Sequence, residues 1–384
     1  MVALRSSYMS VRPGDTARDR WRDFDPILFA TMLVLMGFGV LAIWSAIGLP
    51  PILTMNGGTQ QALFGLFGIA LLLITASIDY RFLNTLAWPL YGIGILSLVA
   101  VQVAGVTVGG ARNWFQLGSF LVQPSEFAKI TTIIALASFI ASRGEDMKAL
   151  SSFFTAGMIV ALPMGLVLIG PDLGQATVYV ALWATTMLVA RTRMLYFFLI
   201  VGSLPVGVWA IWQFVLAEYQ KTRFKVSYDP QIAPLDEGFQ IIQARISIGA
   251  GGLLGEGLKG GSQSQLDLLG VRDSDFIFAH ASGMFGFVGM LGLFLALVIF
   301  LWRCLKVAEI ARDQFGQCIA ISVTGTIFFQ AFLNIGMNVG LMPVAGITLP
   351  FVSYGVSSLW SSLIMVGILQ SIRMHHRKLA FKRS

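Results

Sequence analysis

Long apolar stretches alternate with short polar segments along almost the whole chain. Windows of about 20 apolar residues, the length needed to cross the hydrocarbon core of a bilayer, recur ten times. They cover residues 26–47, 59–78, 82–104, 124–141, 152–169, 174–190, 194–217, 276–301, 316–340 and 346–372. The pattern predicts an all-α integral membrane protein with about ten transmembrane helices.

The polar segments predict how the chain is divided and oriented. One large loop, 218–275, separates the helices of 26–217 from those of 276–372, and short polar segments, 1–25 and 373–384, lie at the termini. Most of the 26 Lys and Arg residues fall in segments that share a side with the two termini. Because short cytoplasmic loops are enriched in Lys and Arg, both termini are predicted to be cytoplasmic and the large loop extracellular.

Composition excludes several other classes of protein. The 384 residues are 56% hydrophobic and 12% charged, with a mean hydropathy of +0.77, which excludes a soluble globular protein. The net charge of +7 is explained by the basic segments predicted to be cytoplasmic, which would lie against anionic lipid headgroups. Nucleic-acid binding is therefore not expected. The two cysteines and three histidines lack the spacing of a disulfide framework or a metal site.

Three charged residues stand inside or beside apolar spans, where a charge costs about 2.5 to 3.5 kcal/mol at the bilayer centre. Glu126 and Lys129 lie three residues apart on one face of the fourth span and are predicted to pair. Asp172 precedes the sixth span, where a carboxylate favourably meets the helix dipole. Each of these residues has a structural interpretation, a stabilising ion pair for Glu126 and Lys129 and a helix cap for Asp172, and a functional one.

The large loop contains seven glycines between Gly249 and Gly261. Backbone N–H groups of such a segment can approach an anion closely, and Arg245 and Lys259 are near in sequence, so a phosphate-bearing ligand is one interpretation. The other is a flexible or re-entrant loop. Beyond the loop, glycines recur at every third position and predict a close helix-packing face: Gly283, Gly286, Gly289 and Gly292.

The large loop ends in an acidic group, Asp273-Ser274-Asp275, immediately before the apolar run that begins at Phe276. This places a carboxylate at the edge of the membrane. Ionisable groups in such positions are most often functional, so the group is the candidate reaction site.

Several separated segments together resemble the SEDS family, the shape, elongation, division and sporulation proteins that polymerise peptidoglycan glycan strands. The match extends from about Asp25 to the C-terminus. Its most specific segments are residues 110–114 (GARNW), 123–126 (QPSE), 171–174 (PDLG), 238–240 (GFQ), 262–266 (SQSQL), 274–278 (SDFIF), 334–337 (NIGM) and 349–355 (LPFVSYG).

The resemblance implies an inverting glycosyltransferase that uses lipid II, a disaccharide-pentapeptide on an undecaprenyl pyrophosphate carrier. Asp275 matches the family's catalytic aspartate, as general base. The implied substrate-binding residues are Arg112, Trp114, Glu126, Lys129, Asp172, Arg245, Gln263 and Ser353, with the pyrophosphate assigned to the cations Arg112, Lys129 and Arg245. A divalent cation, Mg or Mn, is left open as a cofactor.

The resemblance also implies partners and a cellular place. A class B penicillin-binding protein, a transpeptidase, would dock through a single membrane helix, and membrane lipids would surround the chain in a bacterial plasma membrane. Features near the first span and in the Ser371-Ile372-Arg373 ending favour the elongation branch of the family. A division-type polymerase is the alternative within the family.

The chain departs from the family pattern at several positions. Asp273-Ser274-Asp275 stands where the family usually has His-Thr-Asp, Gly283 and Met284 replace two usual glutamates, and Glu256 replaces a usual basic residue. The charges in the spans also suit a precursor flippase or another transporter. The missing glutamates leave a noncatalytic scaffold as a further hypothesis.

Overall fold

The structure is a computed structural model that describes residues 21–51, 56–108, 111–118, 120–214, 218–233, 237–258, 261, 266 and 268–376. Most of the N-terminal segment 1–25 and of the tail 373–384 lies outside these ranges, as do Lys259 and Gln263.

Helices dominate the described part of the chain. In chain order they are α1 (Pro26–Ala46), α2 (Gly57–Ser77), α3 (Arg81–Thr85), α4 (Ala87–Ala104), α5 (Pro124–Arg143), α6 (Leu150–Ile169), α7 (Leu173–Val189), α8 (Met194–Phe214), α9 (Glu218–Tyr228), α10 (Glu237–Ala250), α11 (Ile277–Ile310), α12 (Gln314–Asn338) and α13 (Val356–Met374). Short 3₁₀ turns cover Gly144–Lys148 and Pro230–Ile232.

The predicted fold class, an all-α integral membrane protein, is confirmed. Eight helices of the described residues are long and apolar enough to cross a membrane: α1, α2, α4, α5, α6, α11, α12 and α13. Helix α7 is a shorter apolar helix, and α8 occupies the position of the seventh predicted span. The total of ten crossings and their orientation stay predictions.

Two of the predicted spans have different bounds in the structure. The last helix begins at Val356 and not at 346, because residues 343–355 form an irregular turn with positive φ at Gly346 and Phe351. Pro350 in this turn removes a backbone donor, which disfavours a continuous helix. The eighth span is broken within α11 at Gly286, whose φ is 62° and ψ −168°.

A small antiparallel sheet, absent from the predicted pattern, follows α4. Its strands β1 (Val106–Val108), β2 (Ala111–Leu117) and β3 (Phe120–Val122) lie in the order β1-β2-β3, with Phe115 opposite Val122. Strands β1 and β3, of three residues each, are too short to show the alternation that indicates a strand in a sequence, and β2 (ARNWFQL) does not alternate strictly. The sheet carries Arg112 and Trp114 on β2.

Helices α5, α12 and α13 form the centre of the bundle, with 72%, 72% and 83% of their apolar windows buried. Helices such as α4 and α8 expose apolar side chains, including Leu96 and Phe198, as expected of surfaces that face lipid. We call the end of the bundle that carries residues 218–275 the loop end. The opposite end, which carries the start of α1 and the end of α13, is the terminal end.

At the terminal end, Asp25 and Arg303 form an ion pair. Asp25 is fully buried; it caps α1 by accepting from the Ile27 and Leu28 N–H groups at 3.1 Å, and Arg303 Nε donates to its carboxylate at 2.9 Å. Gln370 of α13 donates to the Asp25 carbonyl at 3.0 Å. Three helices distant in sequence, α1, α11 and α13, are thereby joined.

Candidate active site

The segment Asp273–Asp275 is fixed at the loop end by contacts to its backbone. The Asp275 carbonyl accepts from Asn334 Nδ2 at 3.1 Å and from Asn338 Nδ2 at 3.0 Å, both on α12. The Tyr354 N–H donates to the Asp273 carbonyl at 2.8 Å. The main chain on both sides of the Asp275 side chain is therefore held by other elements.

Ser353, a predicted substrate-binding residue, also contacts this segment. Its hydroxyl donates to the Ser274 carbonyl at 2.7 Å and accepts from the Leu349 N–H at 2.8 Å. Its carbonyl accepts from Gln61 Nε2 of α2 at 3.1 Å. Because the Ser353 hydroxyl both donates and accepts a hydrogen bond within the protein, we expect Ser353 to orient the backbone beside Asp275.

The surroundings of Asp275 make its carboxyl a stronger base than an ordinary aspartate. Its pKa is raised to about 6, first by burial and then by the negative charge of Asp273, while a hydrogen bond from Ser274 lowers it. A Cβ atom at Gly346 would lie 3.9 Å from Asp275 Oδ2, so the turn of residues 343–355 borders the carboxyl. A carboxylate with a pKa nearer neutrality is better matched to general-base catalysis.

A second polar cluster, which we call the Glu126 cluster, joins α5, α7 and α13. Lys129 Nζ lies 2.9 Å from Glu126 Oε2, which confirms the predicted pair, and both side chains are buried. Gln175 of α7 completes the pair, accepting from Lys129 at 3.1 Å and donating to Glu126 at 2.7 Å. Ser361 of α13 donates to Glu126 Oε2 at 2.9 Å, whereas Gln175 donates to Oε1.

Asp172 borders this cluster and caps α7, as the sequence predicts. Its carboxylate accepts from the Gln175 N–H at 2.9 Å and from Gln123 Nε2 at 3.0 Å. Its pKa is raised to about 6, chiefly by burial and also by the charge of Glu126, while the Gln175 and Gln123 hydrogen bonds lower it. The predicted residues Glu126, Lys129 and Asp172 are thus brought together.

The start of α13 connects the two clusters through serine side chains. Ser353 holds the Ser274 carbonyl, Ser357 Oγ accepts from the Gln123 N–H at 2.8 Å, and Ser361 donates to Glu126. At 1.5 Å of rise per residue, Ser357 and Ser361 lie about 6 Å apart along the helix axis. A displacement of α13 would change the support of both clusters.

The three cations that the resemblance assigns to a pyrophosphate lie in different surroundings. The Lys129 side chain is buried and forms an ion pair with Glu126. Arg245 is exposed on α10, where Nη2 donates to the Ser227 and Gly340 carbonyls at 3.4 and 3.3 Å. Arg112 is exposed on β2, next but one to the half-buried Trp114, and Gln263 lies outside the described residues.

The described glycine-rich part of the large loop packs against the break in α11, and this packing uses two of the N–H groups that the anion interpretation would need. The Glu256 and Gly257 N–H groups donate to the Gly283 and Met284 carbonyls at 2.9 and 3.1 Å. In return, the Phe287 N–H donates to the Gly252 carbonyl at 2.9 Å. The Glu256 and Gly257 N–H groups pair with carbonyls that the break in α11 leaves without a helical partner. These two N–H groups are therefore not available to a ligand.

The predicted helix-packing face of the α11 glycines holds at Gly283, where an added Cβ would lie 2.9 Å from Ser247 Oγ on α10, but not along the whole stripe. A Cβ at Gly286 would collide with the backbone of the glycine-rich loop, whereas a Cβ at Gly292 would meet nothing within 4 Å. Two departures from the family pattern, Glu256 and Gly283, lie together here, since one donates its N–H to the carbonyl of the other.

Metal binding finds no support in the part of the chain that the structure describes. It contains no group of three or more His, Cys, Asp or Glu residues placed to hold a metal ion. Both cysteines are free thiols. A divalent cation therefore stays an expectation from the resemblance alone.

Three residues of these clusters were not among the sequence-based candidates: Gln175, Asn338 and Ser361. Each is a buried polar side chain within an apolar helix. Burying a polar group without a partner is costly, so the isolated polar side chains in apolar spans were the signal that could have identified them. The identity of their partners could not be read from spacing.

Known proteins similar to this chain agree in sequence and in fold. A family model described as cell cycle protein, covering FtsW, RodA and SpoVE, matches residues 26–378. The peptidoglycan glycosyltransferase MrdB of Escherichia coli K12 is 35% identical over 368 residues, which cover 93% of this chain and 95% of MrdB.

Two solved structures have the same architecture. A chain of a peptidoglycan synthase complex that coordinates polymerization and crosslinking superposes with a TM-score of 0.79 at 28% identity, covering 92% of this chain and 98% of its own. The rod shape determining protein RodA of Thermus thermophilus gives 0.70 at 25% identity, covering 93% and 99%. With its fold, its signature segments and the extent of these matches, the chain belongs to the FtsW, RodA and SpoVE family of cell cycle proteins.

Proposed function

We propose that this protein is a peptidoglycan glycosyltransferase that polymerises lipid II, with Asp275 as general base. The observation that carries the proposal is the placement of Asp275, whose backbone is held by α12 while burial and Asp273 raise its pKa to about 6. The carboxyl lies directly before the apolar helix α11, where a lipid-linked sugar would meet the protein.

In the proposed reaction, the Asp275 carboxylate removes the proton from the 4-hydroxyl group of the acceptor sugar. The resulting nucleophile attacks the anomeric carbon of the donor, the new glycosidic bond forms with inversion, and the pyrophosphate carrier leaves from the opposite face. A base of suitable pKa contributes roughly 10²- to 10⁴-fold to such a step. Positive charges near the leaving group stabilise its developing charge.

The exposed cations Arg112 and Arg245 are the side chains available to the leaving pyrophosphate in this conformation. Lys129 could contact a ligand only if its ion pair with Glu126 opened, because its side chain is fully buried. We therefore assign Lys129, Glu126 and Asp172 to the support of the site, and the two arginines to the anion.

The finer features of the proposal follow the family. The similar synthase complex couples polymerization to crosslinking, which supports a class B penicillin-binding protein as partner. We place the chain in the elongation branch, with cytoplasmic termini and Asp275 on the outer face of the plasma membrane. The division-type role is the alternative, and a fluorescent fusion at the side wall or at the septum distinguishes the two.

The test is reconstitution of the purified protein, alone and with its partner, with labelled lipid II. Polymer should form with the wild type and disappear in Asp275→Ala. Asp229→Asn is the matched control, because Asp229 is an exposed carboxylate of the same large loop that caps only the 3₁₀ turn Pro230–Ile232. Transbilayer movement of lipid II without polymer would favour a flippase, and polymer from Asp275→Ala would refute the assigned base.

A further inference from the structure

The helix that follows Asp275 has no cap of its own. Phe276 occupies the N-cap position of α11 and cannot accept a hydrogen bond through its side chain. The first N–H groups of a helix have no partner within the helix and are usually satisfied by a capping side chain. Here the Ala279 N–H donates to Asn338 Oδ1 of α12 at 3.1 Å. The cap is supplied by another helix.

The same amide contacts Asp275. Asn338 Nδ2 donates to the Asp275 carbonyl at 3.0 Å and to the Asn334 carbonyl at 2.8 Å. In a regular helical turn the Ala279 N–H would itself donate to the Asp275 carbonyl. The Asn338 amide stands between these two groups, so the regular pattern begins one residue later, where the His280 N–H donates to the Phe276 carbonyl at 3.1 Å.

This insertion matters because of what a carboxylate normally does at a helix start. A carboxylate near the start of a helix, such as that of Asp275 one residue before the N-cap, is stabilised in its charged form by the helix dipole and by any of the first N–H groups that it reaches. Hydrogen bonds to a carboxylate make it a weaker base. Asn338 is fully buried and takes the Ala279 N–H, the donor that a capping side chain would use.

We propose that Asn338 is a positioning residue that caps α11 in place of Asp275 and so keeps the Asp275 carboxyl available to accept a proton from a substrate hydroxyl. The inference rests on the proposed function, since it assigns Asn338 a role through the general base. It adds to the reaction a residue whose side chain bonds to three backbone groups and, at 3.5 Å, to Asn334 Oδ1.

Few charges surround Asp275 besides those of its own segment. Asp273 and Arg272 precede it, and Arg272 Nε donates to the Ala46 carbonyl of α1 at 2.7 Å. His280 follows on α11, and Arg245 of α10 reaches the end of α12 at the Gly340 carbonyl. Residues 314–355, which supply α12 and the bordering turn, contain no Asp, Glu, Lys, Arg or His, and neither does α2.

Two substitutions should move the pH dependence of polymerisation in opposite directions. Asn338→Leu removes the contacts of the amide with the Ala279 N–H and with the Asp275 and Asn334 carbonyls. The freed Ala279 N–H can then donate to Asp275, either at its carbonyl, as in a regular turn, or at its carboxylate. The kcat should fall roughly tenfold or more, a part of what a general base contributes, with KM for lipid II unchanged. The acid limb of the kcat profile should move to lower pH.

Asn338→Asp retains an acceptor for the Ala279 N–H but adds a negative charge near Asp275. The charge disfavours ionisation of the base, so the acid limb should move to higher pH. Thr326→Val is the matched control for damage to α12, because Thr326 is a buried residue of the same helix whose hydroxyl donates only to the Ser322 carbonyl. It should leave the profile in place.

The inference is overturned if both Asn338 variants lose activity and thermal stability together while the acid limb stays at the wild-type pH. It is also overturned if Asn338→Leu retains wild-type kcat. Loss of polymer in Asp275→Ala alongside either result would leave the proposed function intact and remove only the role of Asn338. Polymer from Asp275→Ala would remove both.

Discussion

Glu126 and Lys129 form a buried ion pair of 2.9 Å one helical turn apart on α5. Breaking a buried pair by removing one partner leaves an uncompensated charge and typically costs about 3 to 5 kcal/mol. Lys129→Met should therefore lower the midpoint of thermal unfolding in detergent strongly. The double variant Glu126→Gln, Lys129→Met should recover much of the loss, because no unpaired charge is left. Equal losses in the single and double variants would contradict this reasoning.

The raised pKa of Asp275 also predicts a stability effect. Because its pKa is near 6 in the folded state and 3.8 ordinarily, its ionised form is less favourable folded than unfolded. Asp275→Asn should raise the unfolding midpoint above about pH 6, with the gain shrinking as the pH falls and vanishing below about pH 4. Thermal unfolding measured across this range checks the sign, and a gain that grows toward acid pH would refute the shift.

The glycine-rich loop should tolerate a methyl group at one position and not at another. Gly251→Ala would drive Cβ against the Ser282 backbone beside the break in α11, whereas Cβ at Gly249 meets nothing within 4 Å. Overpacking of this kind costs about 1 to 3 kcal/mol, so Gly251→Ala should lower thermal stability and polymer yield. Gly249→Ala is the control, and equal effects would show that the loop does not pack on the break.

At the terminal end, Asp25 should matter far more than exposed acids. Asp25→Ala removes a helix cap and a buried partner of Arg303, a loss of about 3 to 5 kcal/mol for breaking such a pair. Glu145, an exposed residue that pairs with Lys148 and Arg191, is the comparison, since exposed pairs contribute little. The unfolding midpoint should drop in Asp25→Ala and stay unchanged in Glu145→Ala.

Sequence reasoning was most successful where a contact is local. Glu126 and Lys129 are three residues apart, so helical periodicity alone places them on one face, and Asp172 directly precedes the helix that it caps. It failed where two segments meet. An anion site is one interpretation of the loop glycines and a neighbouring helix is the predicted partner of the α11 glycines, yet Gly255 of the loop and Gly286 of α11 pack on each other.

Sequence patterns alone were enough to predict the membrane class, the approximate spans, the family resemblance and the acid at the end of the large loop. Each depends on composition, on spacing within one segment or on the order of short segments along the chain. Two contacts could be seen only in the folded chain: Asn338, 63 residues beyond Asp275, donates to the Asp275 carbonyl, and Gln175 bonds to both Glu126 and Lys129. Such contacts depend on how helices pack, and helix packing follows from the fit of whole side-chain surfaces and not from the spacing within either helix.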